Sequence, residues 1–262
     1  MAYETLLLSI DSNVATVTLN RPKVLNALNQ AMLHELEELF TELDLHRDVQ
    51  VILLRGAGEK AFAAGADISE FADADGSTGE QLAGRAHRIL RRIETMGKPV
   101  IACINGFALG GGCELAMACT LRLANPAARL GQPEIKLGLI PGYGGTQRLP
   151  RLVGRGAALK LLLTAAIIDA SEALRIGLVD ELIDGDIDQL MARAQDFATL
   201  IAGMPPLAVR AIIDAVDRGA DLPLDEALAL EASIFGRLFA TEDKREGTRA
   251  FLEKRAPKWT GR

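Results

Sequence analysis

The chain has 262 residues, 49% hydrophobic and 24% charged, the make-up of a globular protein with a sizeable core and not of a disordered or fibrous chain. A net charge of −6 excludes bulk attraction to nucleic acid or to an anionic membrane, so an anionic ligand would need a local basic patch. Cys103, Cys113 and Cys119 are odd in number and form no Cys-x-x-Cys pair, which excludes a disulfide frame or a zinc site and predicts reduced, buried thiols in a cytoplasmic protein.

The N-terminus, Met-Ala-Tyr-Glu-Thr, lacks the basic region and apolar core of a signal peptide. Leu6–Ile10 and Val14–Leu19 read as strands around a polar turn, a hairpin. From Asn29 the spacing of Leu33, Leu36, Phe40 and Leu43 predicts an amphipathic helix. Val49–Leu54 reads as a buried strand. Ala61–Ile68 follows, a small-residue turn after a short strand. Ala72–Gly79 is polar and predicts an exposed, mobile loop, Gln81–Met96 a helix, and Val100–Ile104 a buried strand.

Pro99–Leu121 carries one ionisable carboxylate, Glu114, and is long enough to raise the question of a membrane span. Pro99, Asn105, Glu114 and four glycines point instead to a core strand, a loop and a helix over Glu114–Ala118. Leu121–Ala124 and Ala128–Leu130 predict short strands, with Gln132–Glu134 and Pro141–Gly145 as loops. Beyond Arg155 the pattern turns helical, with one further strand at Leu178–Ile183, a regular helix from Ile187 to Ile201, and a break at Pro205-Pro206. Turn, helix and strand recur with a loose period near fifty residues, which suggests an α/β spiral of ββα-like units over residues 1–203. Two or three amphipathic helices over residues 204–262 complete the chain.

The glycines Gly110, Gly111 and Gly112 precede a helix start, where backbone N–H groups are free and no side chain keeps a ligand away. They fit neither a dinucleotide fingerprint nor a phosphate loop with its lysine. Glu114 behind them reads either as a tuned acid in apolar surroundings or as a first-turn carboxylate favouring the helix dipole. Glu134 alone reads as a solvated loop charge. Paired with Glu114 it allows two carboxylates in different environments to divide acid and base roles. Ala64-Gly65-Ala66-Asp67 reads equally as a close-approach turn or as a tight turn with Asp67 capping the next helix. No serine-nucleophile elbow is present, His34, His46 and His87 are scattered on predicted helix surfaces, and no cluster has metal-ligand spacing, so no metal is expected.

Asn26–Leu28, Ala64–Ile68, Asn105–Ala116, Pro133-Glu134 with Pro141–Leu149, and Glu242-Asp243 through Arg255 together resemble the enoyl-CoA hydratase (crotonase) family, end to end and in the right order. The resemblance implies a crotonase-like spiral followed by a helical trimerisation region over residues 204–262, in a hexamer built as a dimer of trimers. It implies a CoA thioester as substrate, with CoA part of that substrate and no separate cofactor; from the charge and the reading of Pro99–Leu121, no nucleic acid or membrane is expected as partner. It places an oxyanion hole at the N–H groups of Ala66 and Gly111, where donors would stabilise the enolate that develops in the transition state. Glu114 and Glu134 match the family's hydratase glutamates, and Gly142 matches a position whose N–H helps fix the water. Lys23, Val24 and Leu25, with Ala64, Gly65, Ala66, Asp67 and Ile68, resemble its pantetheine and adenine pocket. Phe251 and Lys254 match positions that reach the ligand from a neighbouring subunit.

Two residues depart from the pattern. Tyr143 stands where a small residue is common in Pro-Gly-x-Gly-Gly-Thr-Gln and bears on the acyl end of the pocket. Thr120 replaces a common aspartate and reads as structural. The expected reaction is reversible hydration of a trans-2-enoyl-CoA to a 3-hydroxyacyl-CoA. An enoyl-CoA isomerase on the same fold is the nearer alternative, and it commonly keeps only one of the two acids. A non-catalytic RNA-binding relative is the remote one, and the helix Glu35–Asp44, with five acids and no lysine, opposes it.

Overall fold

The computed structural model describes residues 3–70, 72 and 75–262. The two N-terminal apolar runs form a hairpin, β1 (Leu6–Asp11) and β2 (Val14–Leu19), paired antiparallel from Leu6↔Leu19 to Asp11↔Val14. In α1 (Gln30–Leu45) the apolar stripe Met32, Leu33, Leu36, Leu39, Phe40 and Leu43 is buried. Asn29 closes its first turn by accepting from the Met32 N–H at 3.0 Å.

Three times a strand of one sheet is followed by a short strand of a second. The pairs are β3 (Val51–Gly56) with β4 (Ala61–Ala63), β5 (Val100–Ile104) with β6 (Phe107–Leu109), and β7 (Leu121–Ala124) with β8 (Arg129–Gly131). Between the pairs lie α2 (Gly76–Thr95) and α3 (Gly111–Met117). After them come α4 (Gly145–Thr164), bent at Gly154 where φ is 77°, β9 (Ile167–Asp169), α5 (Ala170–Arg175), β10 (Glu181–Leu182) and α6 (Ile187–Ala202).

The first sheet runs β1-β2-β3-β5-β7-β10 and is parallel except for the hairpin; the second runs β4-β6-β8-β9 and is parallel except at β9. This is the expected α/β spiral. Its repeat is not of constant length, because α2 has 20 residues and α3 only 7. The inner strands β2, β3, β5 and β7 of the large sheet are largely buried on both faces, which is why they read as apolar runs, while the edge strand β1 is mostly exposed. Ala15, Val17, Ile52, Leu54, Ala102 and Ile104 face α1 and α2. The alternate residues Val14, Val51, Leu53, Ile101, Cys103 and Leu123 face Leu190, Ala194 and Ala198 of α6.

Several expectations need correction. α2 begins at Gly76, capped by Asp75 through the Thr78 N–H at 2.8 Å, so the end of the predicted loop Ala72–Gly79 is helical; Asp73 and Ala74 lie outside the described residues. α3 starts at Gly111, not at Glu114, and α4 starts at Gly145, not beyond Arg155. The strand expected over Leu178–Ile183 is confined to β10. β6 and β9 have 3 residues each, too few to show a period, and were not anticipated. His46 is not on a helix surface: it ends α1 as its C-cap, and its Nδ1 is buried.

All three cysteines are buried and unbridged. Thr120 has the structural part expected of it, its Oγ1 accepting from the Val100 N–H at 3.1 Å. α7 (Pro206–Gly219), α8 (Leu224–Leu238) and α9 (Glu242–Glu253) follow the break at Pro205. Among the described residues no single helix is long and apolar enough to cross a membrane.

Candidate active site

The site forms where α3 leaves the second sheet. Gly110, with φ 49° and its N–H bonded to Gly131 O at 2.9 Å, turns the chain out of β6 and into the helix. α3 then lies directly on β4: a methyl group on Gly112 would stand 2.0 Å from Ala63 O. Only glycine permits that approach, and it brings the helix N-terminus against the turn after β4.

That turn is tied to the chain after β2. The Ala64 N–H donates to Leu25 O at 3.0 Å, the Leu28 N–H to Gly65 O at 2.8 Å and the Asp67 N–H to Leu28 O at 2.9 Å. Lys23, Val24 and Leu25 therefore adjoin Ala64–Ile68, with Lys23, Val24 and Ile68 exposed beside it. Asp67 is used by the fold: its carboxylate takes both Arg21 guanidinium N–H groups at 3.0 Å and the Ser69 hydroxyl at 2.7 Å. These partners, Ser69 foremost, hold its acid below the usual carboxylate range. The N–H of Ala66 finds no backbone acceptor among the described residues, and that of Gly111, as the first of its helix, has none within the helix. The two lie close together, Ala66 N being 3.4 Å from where a Gly111 Cβ would stand.

Glu114 projects from α3 into the loop before α4 and is 1% exposed. Its Oε1 accepts from the Tyr143 N–H at 2.8 Å and the Gly145 N–H at 2.6 Å. Burial pushes its acid up to about 7, the nearby Glu134 charge adds to this, and the two N–H donors and Arg148 oppose it. Glu134 begins a 3-10 turn at Glu134–Leu137 and is half-buried; burial raises its acid as well. Its Oε1 would be 2.7 Å from a Cβ on Gly110, so it reaches the residue just before α3.

Gln132 is 2% exposed, and with its amide nitrogen turned toward Glu134 it donates to the two carboxylate oxygens at 3.0 and 3.2 Å. In the sequence, only its place directly before Pro133-Glu134 marks Gln132. Cys113 also lies here, its thiol pushed up to about 12 by burial and by the two glutamates, and so remains protonated.

Tyr143 is 9% exposed, and its ring Cδ2 and Cε2 lie 3.0 Å from the position a Gly111 Cβ would take. Burial, then the Glu114 and Glu70 charges, push its phenol up to about 12. Gly142 has open space where a side chain would be. Glu114, Glu134, Ala66 and Gly111 thus lie near one another, and Gly142 directly precedes Tyr143, whose N–H meets Glu114. Phe251, 82% exposed, and Lys254, the left-handed cap of α9, are the exceptions: both face outward from the C-terminal helices. A cavity of about 710 Å³ lined by Lys98, Arg210 and Trp259 contains no residue of this site.

The enoyl-CoA hydratase/isomerase family matches residues 9–262. A short-chain-enoyl-CoA hydratase of Clostridium acetobutylicum is 47% identical over 255 residues, 97% of each chain. A crotonyl-CoA hydratase of Syntrophomonas wolfei is 45% identical over 255 residues, again 97% of each. The crystal structure of an enoyl-CoA hydratase from Bacillus anthracis superposes with a TM-score of 0.94 at 38% identity, covering 99% of this chain and 100% of that one. The chain belongs to the enoyl-CoA hydratase/isomerase family.

Proposed function

We propose that Glu114 and Glu134 hold one water between them and add it across the double bond of an enoyl thioester whose carbonyl oxygen rests on the Ala66 and Gly111 N–H groups. The protein is an enoyl-CoA hydratase, converting a trans-2-enoyl-CoA reversibly into a 3-hydroxyacyl-CoA. In the hydration direction, the Glu114 carboxylate takes a proton from the water as its oxygen bonds to the β-carbon. The double-bond electrons move toward the thioester oxygen, where the two N–H donors meet the enolate charge. Glu134 delivers a proton to the α-carbon, and the Gly142 N–H helps hold the water. The observation that carries this reading is the placement of a buried and a half-buried carboxylate, both shifted upward, near two N–H groups without a backbone acceptor among the described residues. Mixing crotonyl-CoA with the protein tests it: the conjugated thioester absorbance is expected to fall as water adds. Double-bond migration without water incorporation would favour the isomerase.

Lys23–Leu25 and Ala64–Ile68 would hold the CoA portion, with Phe251 and Lys254 supplied by a neighbouring subunit. Residues 204–262 would be the trimerisation region of a cytoplasmic hexamer, a dimer of trimers. Within one chain Ile212, Val216, Leu224 and Phe235 of α7 and α8 are 63%, 64%, 72% and 62% exposed, an apolar surface that a lone soluble chain rarely leaves open. Light scattering is expected to report six chains, and a monomeric mass would end this part of the reading.

Tyr143 would set the acyl length. Its backbone N–H donates to Glu114 and its ring lies over Gly111, beside the proposed oxyanion donor, where it would border the acyl chain. Tyr143→Ala is expected to raise kcat/KM for octenoyl-CoA relative to crotonyl-CoA about tenfold or more, as several methylenes gain room. Unchanged relative values would assign the limit to other residues.

A further inference from the structure

We propose that Arg148, clamped by Glu94, is a positioning residue that fixes the Tyr143–Gly144 peptide so that the N–H groups on either side of it converge on Glu114. The inference rests on the catalytic reading of Glu114 and goes one layer beyond it.

Three consecutive peptide groups carry the geometry. The Gly142–Tyr143 and Gly144–Gly145 peptides both aim their N–H at Glu114 Oε1, at 2.8 and 2.6 Å. The peptide between them points its carbonyl away, and Arg148 Nη1 donates to that oxygen at 2.8 Å. Rotating the middle peptide would swing both neighbours, so the guanidinium holds two donors through one acceptor. Gly144 has φ 106°, and a Cβ there would lie 2.1 Å from Arg148 Nη1. Glycine therefore permits both the backbone turn and the approach of the arginine.

The guanidinium is itself held. Arg148 Nε donates to Glu94 Oε1, and Nη2 to Glu94 Oε2 at 3.1 Å, a two-point pairing near the end of α2. The side chains are 16% and 18% exposed, so water competes little for them. Arg91 adds a contact to Glu94 at 3.2 Å, and Asp217 of α7 and Cys119 also feel the Glu94 charge. Around Glu114 the charged and titratable groups are Glu134, Cys113, Tyr143 and Arg148. Of these Arg148 alone is a cation, and it favours the ionised carboxylate that activates water. A lysine keeps the charge but not the fork, so the two contributions separate by substitution.

The test is the pH profile of crotonyl-CoA hydration by the full-length protein. Arg148→Met is expected to lower kcat about tenfold to a hundredfold with KM little changed, since a small misplacement of the base suffices. Its acidic limb should move to higher pH by about half a unit. Arg148→Lys should keep the wild-type limb with an intermediate kcat. A wild-type limb in Arg148→Met, or equal displacement in both variants, overturns the proposal. Should Arg148→Met fail to fold, Glu94→Gln keeps the shape while removing the opposing charge. Its kcat should then fall with KM little changed, because the guanidinium loses its two-point partner while the cation stays, and a wild-type kcat is the overturning result. Near-wild-type hydration by Glu114→Gln would instead defeat the catalytic reading on which the proposal stands.

Discussion

Glu114→Gln and Glu134→Gln are each expected to lower kcat for crotonyl-CoA hydration by roughly 10²–10⁴-fold while the protein stays folded. The amide keeps the size of the carboxylate, and at Glu114 its oxygen can still accept the Tyr143 and Gly145 N–H groups. What it cannot do is take a proton from water. In the wild type, hydration is expected to fall as the pH drops below about 7, where burial has placed the Glu114 acid.

Stability should show the opposite preference. The folded acid lies near 7 against an ordinary value of 4.5, so the folded chain binds the extra proton between those limits. Wild-type stability is therefore lost as pH rises through that window, and Glu114→Gln escapes the loss. Comparing the denaturation midpoints of the two proteins at pH 5 and pH 8 reads this directly. A gap that does not widen toward pH 8 would show that Glu114 is not buried with a raised acid.

Gly112→Ala is expected to damage both fold and activity. In a helix, alanine is ordinarily favoured over glycine by about 1 kcal/mol. Here the new Cβ would meet Ala63 O at 2.0 Å and its carbon at 2.6 Å, both backbone atoms of β4. Relieving the clash must separate α3 from β4, which also separates the Gly111 N–H from that of Ala66. A loss of about 1–3 kcal/mol in urea unfolding is expected, together with a lower kcat. Gly84→Ala is the control: in α2 the added methyl meets only Arg88 Nη1, at 3.8 Å, and should stabilise by about 0.5–1 kcal/mol. A harmless Gly112→Ala would mean that α3 does not pack on β4 this tightly.

Glu114 and Gly112 differ in what their local sequence carries. The spiral was legible because its inner strands are apolar on both faces and its helices on one, patterns that local composition carries. Asn29, Glu114 and Pro205 could likewise be placed from their neighbours. The start of α3 could not. Glycine is a poor helix former, so Gly111 and Gly112 read as loop, and only the contact with Ala63 explains why glycines open that helix.

By itself the sequence determined the fold class, the family motifs and the two glutamates within them, since each is written in a short contiguous stretch. The tertiary structure decided what lies around those glutamates. It buried Glu114, turned the Tyr143 and Gly145 N–H groups onto it, set Gln132 against Glu134 and laid the Tyr143 ring over Gly111. The Arg148–Glu94 pair joins positions 54 residues apart, and the Glu114–Gly145 bond spans 31. Such pairings have no local period or propensity; they exist only once the sheets and α2, α3 and α4 have packed. The strength of an acid depends on that surrounding dielectric and those donors, which is why the chemistry of Glu114 belongs to the fold and not to its motif.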